Sequence, residues 1–236
     1  MKKITLKLIA IGLIFCTMAC SSVSNSSSMN RKNNNSPLNY LALGDSYTIG
    51  ESVAESERWP VQLAERLRAD GIAINAPKII ATTGWRTDQL KAAIEKDDEL
   101  LETYDLVSLL IGVNNQYQNR SVESFAPEFE ELLQKSIELA GGNTNKVFVV
   151  SIPDYGKTPF GASKAEKIAK ALNEYNRVSK EICEKYKVEY FNITPISRQA
   201  DPDAKLVAED NLHPSGEQYR QWVESFYKEV KKIAKQ

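Results

Sequence analysis

Histidine is almost absent from this chain: of 236 residues only His213 carries an imidazole, and cysteine is nearly as scarce, at three. A zinc centre built from clustered histidine and cysteine is therefore not recognisable. Cys16 falls in the leader described below, so only Cys20 and Cys183 remain and no disulfide framework is available. No glycine-rich phosphate loop occurs either, and no metal or organic cofactor is called for. An excess of one charge is missing too. The 30 Lys and Arg face 31 Asp and Glu, a formal net charge of -1 that implies no surface for nucleic acid. No apolar run reaches the roughly 20 residues needed to cross a bilayer.

What the N-terminus does hold is a basic start, with Lys2, Lys3 and Lys7, followed by a short apolar run from Leu8 to Phe15. This reads as an export signal over residues 1–19. Thr17-Met18-Ala19-Cys20 resembles a bacterial lipobox, with Thr17 where leucine is usual, which implies lipidation at Cys20 and a place on the membrane surface of the cell envelope. Residues 20–37, nearly all Ser, Asn and basic between Ser21 and Ser36, have too few apolar side chains to offset their ordering entropy and read as a flexible tether. The folded domain is expected over residues 38–236.

Five apolar runs of strand-like composition follow: Tyr40–Leu43, Ile72–Ile80, Leu106–Ile111, Val147–Ile152 and Val188–Ile193. Helical periodicity lies between them, in Trp59–Leu67, Phe125–Leu139 and Lys164–Tyr186, and again from about Pro214 onward, where Tyr219, Trp222, Val223, Phe226, Val230 and Ile233 form a stripe. Pro214 suits a first helical turn. Cys183 continues the spacing of Ile168, Leu172, Tyr175 and Ile182 and is expected in the core. Strands alternating with helices of this length predict an α/β fold: a flavodoxin-like three-layer α/β/α sandwich around a five-stranded parallel sheet. Ligands of such sheets bind beyond the carboxyl ends of the strands. Gly44-Asp45-Ser46-Tyr47, Thr83-Gly84-Trp85 and Gly112-Val113-Asn114-Asn115 follow the first three strands and should converge there.

A serine hydroxyl becomes a nucleophile when a base takes its proton and an acid holds that base. The lone histidine is the available base, and Asp210 stands three residues before it in Asp-Asn-Leu-His-Pro. Donors for an oxyanion are on offer from the backbone N–H groups of Ser46 and Gly84 and the side-chain amide of Asn114. Tyr47, Trp85 and Asp154 are candidates for a substrate pocket. The alternative for Trp85 is a cover over the sheet edge, and for Asp154 ordinary turn chemistry.

Gly44-Asp45-Ser46, Gly84, Gly112-Val113-Asn114 and Asp210-Asn211-Leu212-His213-Pro214 occur in the order of the blocks of the SGNH (GDSL-like) hydrolase family, which the sequence resembles over about residues 38–233. The resemblance implies Ser46 as nucleophile, His213 as general base and acid, Asp210 as its orienter, and Ser46, Gly84 and Asn114 as the oxyanion hole. Tyr47 departs from the family's leucine, and Asn115 stands where aspartate is frequent. The expected activity is hydrolysis of a carboxylic ester (a short acyl ester, an acetylated glycan or a lysolipid) through an acyl-enzyme. Two other readings stay open: acyl transfer from the same site to an alcohol, and a glycan-binding surface lipoprotein with a vestigial site.

Overall fold

The computed structural model describes residues 36–201 and 204–236. The expected signal segment, Cys20 and the tether up to residue 35 lie outside the described residues. Among the described residues no helix is long and apolar enough to cross a membrane.

The central strands are continuous apolar runs rather than alternating ones, because both faces of a parallel sheet are covered. β1 (Tyr40–Gly44), β3 (Leu106–Leu110) and β4 (Val147–Val150) are buried at every position. β2 (Lys78–Ala81) and β5 (Glu189–Phe191) form the partly covered edges. All pairings are parallel, in the order β2-β1-β3-β4-β5. That is the flavodoxin-like order, whose direction of growth reverses beside β1 and opens a crevice between β1 and β3.

The reversal also sorts the helices. Right-handed crossovers leading outward in opposite directions place their helices on opposite faces. α2 (Trp59–Ala69) accordingly packs against α8 (Gly216–Ile233), while α5 (Val122–Leu139) packs against α3 (Thr87–Lys96) and α6 (Ala165–Tyr186). On the first face Trp59 is fully buried, its ring edge-on to Phe148 and Phe226, and Phe226 stacks on Phe191 at 5.2 Å. Cys183 is fully buried on α6, where burial pushes its thiol up to about 12.

Two expectations are corrected, and one helix was missed. The run Ile72–Ile80 is a strand only in its last part: Pro77 has no N–H to give a ladder, and upstream of it a single bridge joins Ile74 to Leu38. Pro214 does not open the final helix; it pairs with Val207, and Ser215 caps α8 by accepting the Gln218 N–H at 3.2 Å. α3 was not anticipated, although Leu90 and Ile94 share its buried face and the Gln89 side chain returns to the Arg86 N–H.

Candidate active site

The turn that carries Ser46 follows from close packing at the end of β1. A Cβ on Gly44 would overlap the Thr48 hydroxyl and lie 2.5 Å from the Leu110 carbonyl oxygen, so only glycine lets β1 approach β3 there. Asp45 then caps the short helix α1 (Ser46–Ile49) by accepting the Tyr47 N–H at 3.0 Å, and Gly50 ends it at φ 69°. Ser46 is thereby held at the carboxyl end of β1, mostly buried, with its residue facing a chamber. Beneath it Asp45 is completely buried and its Oδ2 has no partner. Burial pushes the Asp45 carboxyl up to about 7, even though the Tyr47, Gly112 and Asp45 amides face it and offset part of that rise.

Beyond β2, Gly84 takes φ 86°, a left-handed conformation with open space where a Cβ would be. Beyond β3, Gly112 at φ 124° turns the chain beneath Phe125 and Ile152 into α4 (Val113–Tyr117). Asn114, on its first turn, donates one N–H of its amide to the Trp85 carbonyl at 2.9 Å, which leaves the other N–H of the same nitrogen. Asn115 does a different job. Its oxygen accepts the Thr87 N–H at 3.1 Å and its nitrogen donates to the Thr87 hydroxyl at 2.7 Å, tying α4 to the start of α3.

The fourth contribution arrives from the far end of the chain. Asn211 at φ 63° makes the tight turn that folds Asp210 back on His213. Nδ1 of His213 lies 2.5 Å from Oδ2 of Asp210. The same carboxylate accepts the Leu212 and His213 N–H groups on Oδ1, each at 2.9 Å, and the Ser52 hydroxyl on Oδ2 at 2.7 Å. Partial burial pushes the Asp210 carboxyl up, but the donors from His213, Ser52 and the two amides outweigh it and hold the group far below the usual carboxylate range. The His213 imidazole is mostly buried, with its ring edge toward Tyr47 at 5.6 Å between centroids.

Ser46, Gly84, Asn114 and His213 all line one chamber of about 190 Å³. Tyr47, Val113, Tyr117, Tyr155, Phe160 and Leu212 supply its largely apolar wall, and Thr83 lies beside Gly84. Of the three residues expected in a pocket, Tyr47 is there. Trp85 is half-buried against the core and offers its carbonyl to Asn114, and its side chain is not part of the chamber wall. Asp154 is corrected: it is buried away from the chamber, where Oδ1 caps the Tyr155–Lys157 turn and Oδ2 accepts Arg198 Nε at 2.8 Å. Its turn chemistry, the alternative left open for it, is what the fold uses. Ser52, Tyr117 and Phe160 carry no motif and were not anticipated.

Among curated proteins none matches the chain. Among solved structures, the lipase/acylhydrolase from Enterococcus faecalis is similar with a TM-score of 0.64 and 18% identity, over 83% of this chain and 96% of that one. TesA is similar at 0.63 and 16%, over 83% and 99%. The acetylxylan esterase Axe2 from Geobacillus stearothermophilus is similar at 0.62 and 19%, over 83% and 94%. Likenesses at such identity carry the fold. The family model described as GDSL-like Lipase/Acylhydrolase matches residues 42–221, from β1 through the Ser46 turn and the Asp210-His213 turn into α8. The chain belongs to that family.

Proposed function

We propose that the protein is a serine esterase that cleaves carboxylic esters through an acyl-enzyme, and that all of its catalytic groups are side chains and amides of this chain. The observation that carries the reading is the sharing of one chamber by Ser46, Gly84, Asn114 and a histidine whose Nδ1 is held by an ionised carboxylate. With Nδ1 turned to Asp210, that nitrogen keeps its proton and Nε2 is the ring atom free to take another.

Ser46 Oγ attacks the ester carbonyl carbon while His213 Nε2 takes its proton, and Asp210 stabilises the imidazolium. The carbonyl oxygen becomes an oxyanion that the N–H groups of Ser46 and Gly84 and the Asn114 amide stabilise. The tetrahedral adduct collapses to an acyl-serine, and the alcohol leaves with the proton from His213. Water then attacks the acyl carbon while His213 takes its proton, and the second tetrahedral adduct collapses as His213 returns that proton to Ser46 Oγ and the acid is released. Hydrolysis by water in the second half is what separates this reading from acyl transfer.

A chamber of about 190 Å³ with an apolar wall suits a short acyl group. We propose short acyl esters as the substrate class, with acetylated glycans among them; the likeness to an acetylxylan esterase supports this. We also propose export and anchoring through Cys20, a reading supported by the leader and the lipobox-like segment. A panel of esters of increasing acyl length and of acetylated sugars tests the activity, with Ser46→Ala as control. Loss of the serine nucleophile should cost several orders of magnitude, up to about 10⁶. A pure, folded Ser46→Ala protein that kept a tenth of the parent kcat would refute the assignment.

A further inference from the structure

Ser52 stands in a conformation its residue type disfavours, at φ 64°. An L-residue with a Cβ is strained there, and glycine or asparagine would suit the backbone better. The side chain explains what that strain achieves. From this exposed turn the Ser52 hydroxyl reaches across 158 positions of sequence to donate to Asp210 Oδ2 at 2.7 Å, the oxygen that also faces His213 Nδ1. The preceding residue, Glu51, accepts the hydroxyl of Thr83, which borders the chamber beside Gly84. Two consecutive side chains of the turn after the nucleophile helix thus reach the loop after β2 and the loop before α8.

We propose that Ser52 is a positioning residue for the catalytic pair, fixing the rotation of the Asp210 carboxylate so that Oδ2 meets His213 Nδ1 in line. The inference deepens the esterase reading and rests on it for its kinetic consequence. Without the Ser52 hydroxyl, Asp210 remains held through Oδ1 by the Leu212 and His213 amides, and among the described residues His213 Nδ1 is then the one hydrogen-bonding group left at Oδ2. A misdirected carboxylate leaves the imidazole less well aimed at Ser46, and the cost falls on the chemical step rather than on substrate capture.

The test uses Ser52→Ala and Ser52→Gly in the otherwise unaltered protein. Both remove the hydroxyl, whereas only glycine relieves the strain at φ 64°, so a role confined to the turn would leave Ser52→Gly equal to the parent. A hydrogen bond to a charged group typically contributes about 1.5–3 kcal/mol, so kcat is expected to fall roughly 10- to 100-fold in both variants, with KM changed less than about two-fold. The Nδ1 proton of the lone histidine, followed by NMR in the free protein at fixed pH, should move or broaden in both. Ser52→Gly with parental kcat and an unchanged Nδ1 proton would overturn the proposal. Should the parent protein hydrolyse no ester, the esterase reading falls, and the Nδ1 resonance alone still decides whether Ser52 places the carboxylate.

Discussion

Asp210 Oδ2 and His213 Nδ1 stand 2.5 Å apart, and every other lone-pair direction that the fold serves on that carboxylate is taken by a donor: two amides on Oδ1 and the Ser52 hydroxyl on Oδ2. The two amides on Oδ1 can only donate, and their hydrogen bonds favour the anion. Asp210→Asn keeps an oxygen for the two amides but turns an N–H toward Nδ1. It should lower kcat by about 10⁴, the loss seen when the wrong imidazole tautomer is imposed on a serine protease. Steady-state kinetics on a short acyl ester measure this, and a loss under tenfold would count against the pair.

The same carboxylate makes a prediction for acid stability. Its folded-state pKa lies below the ordinary value, so the folded state binds fewer protons than the unfolded one in that range. Its contribution is complete above the ordinary carboxylate range and is lost as pH falls through and below it. Urea unfolding at pH 6 and pH 3 should show Asp210→Ala losing more stability relative to the parent at pH 6 than at pH 3. Equal losses at both would contradict a depressed carboxyl.

Asp45 has the opposite sign. Its folded-state carboxyl is raised from 3.8 to about 7, so the folded protein holds a proton there that the unfolded chain releases. Stability from this group is fully present below about pH 4 and is lost as pH rises to about 7, a change of roughly 4 kcal/mol at 1.36 kcal/mol per tenfold proton affinity. Asp45→Asn keeps an acceptor for the Tyr47 N–H and carries no charge. Its stability relative to the parent should therefore climb between pH 5 and pH 8. A parent-to-variant difference in urea midpoint that is the same at both pH values would mean that Asp45 is ionised throughout.

Asn114→Ala should reduce kcat about 10²- to 10³-fold with a smaller change in KM, because the donor it removes meets charge that develops in the transition state. The tie to the Trp85 carbonyl is lost at the same time. A raised KM with unchanged kcat would make Asn114 a ground-state contact only.

Cys20→Ser should release the protein from membranes without altering the kinetics of the domain, and a chain starting near Leu38 should be soluble and active. Membrane partitioning that is unchanged, with the leader shown to be cleaved, would reject the anchor. The shortened chain retains Cys183 as its sole thiol, and the buried, elevated pKa of that group predicts no reaction with a thiol reagent until the protein unfolds.

The candidate catalytic residues were legible because chemistry is specific about residue type. A lone histidine three positions after an aspartate, a Gly-Asp-Ser turn after an apolar run, and glycine and asparagine after the next two runs suffice to nominate Asp210, His213, Ser46, Gly84 and Asn114. The same holds for the alternation of apolar runs and amphipathic helices that implies a parallel sheet, since burial on both faces leaves its mark along the chain itself. Strand order, by contrast, depends on which edges meet after the helices have packed, and the start of β2 depends on where Pro77 falls in the ladder. The chamber wall joins Tyr117 from α4 with Tyr155 and Phe160 from the connection between β4 and α6, and none of them has a local signature that distinguishes it from a core aromatic. Asp154 and Ser52 make the contrast sharpest. Both are short polar residues in turns, and only the folded chain turns one inward onto Arg198 and brings the other, from 158 positions away, onto Asp210. Sequence alone determines which groups can do chemistry and how each segment folds locally. Long-range packing decides which of them meet, because a hydrogen bond between distant residues depends on the placement of every element between them.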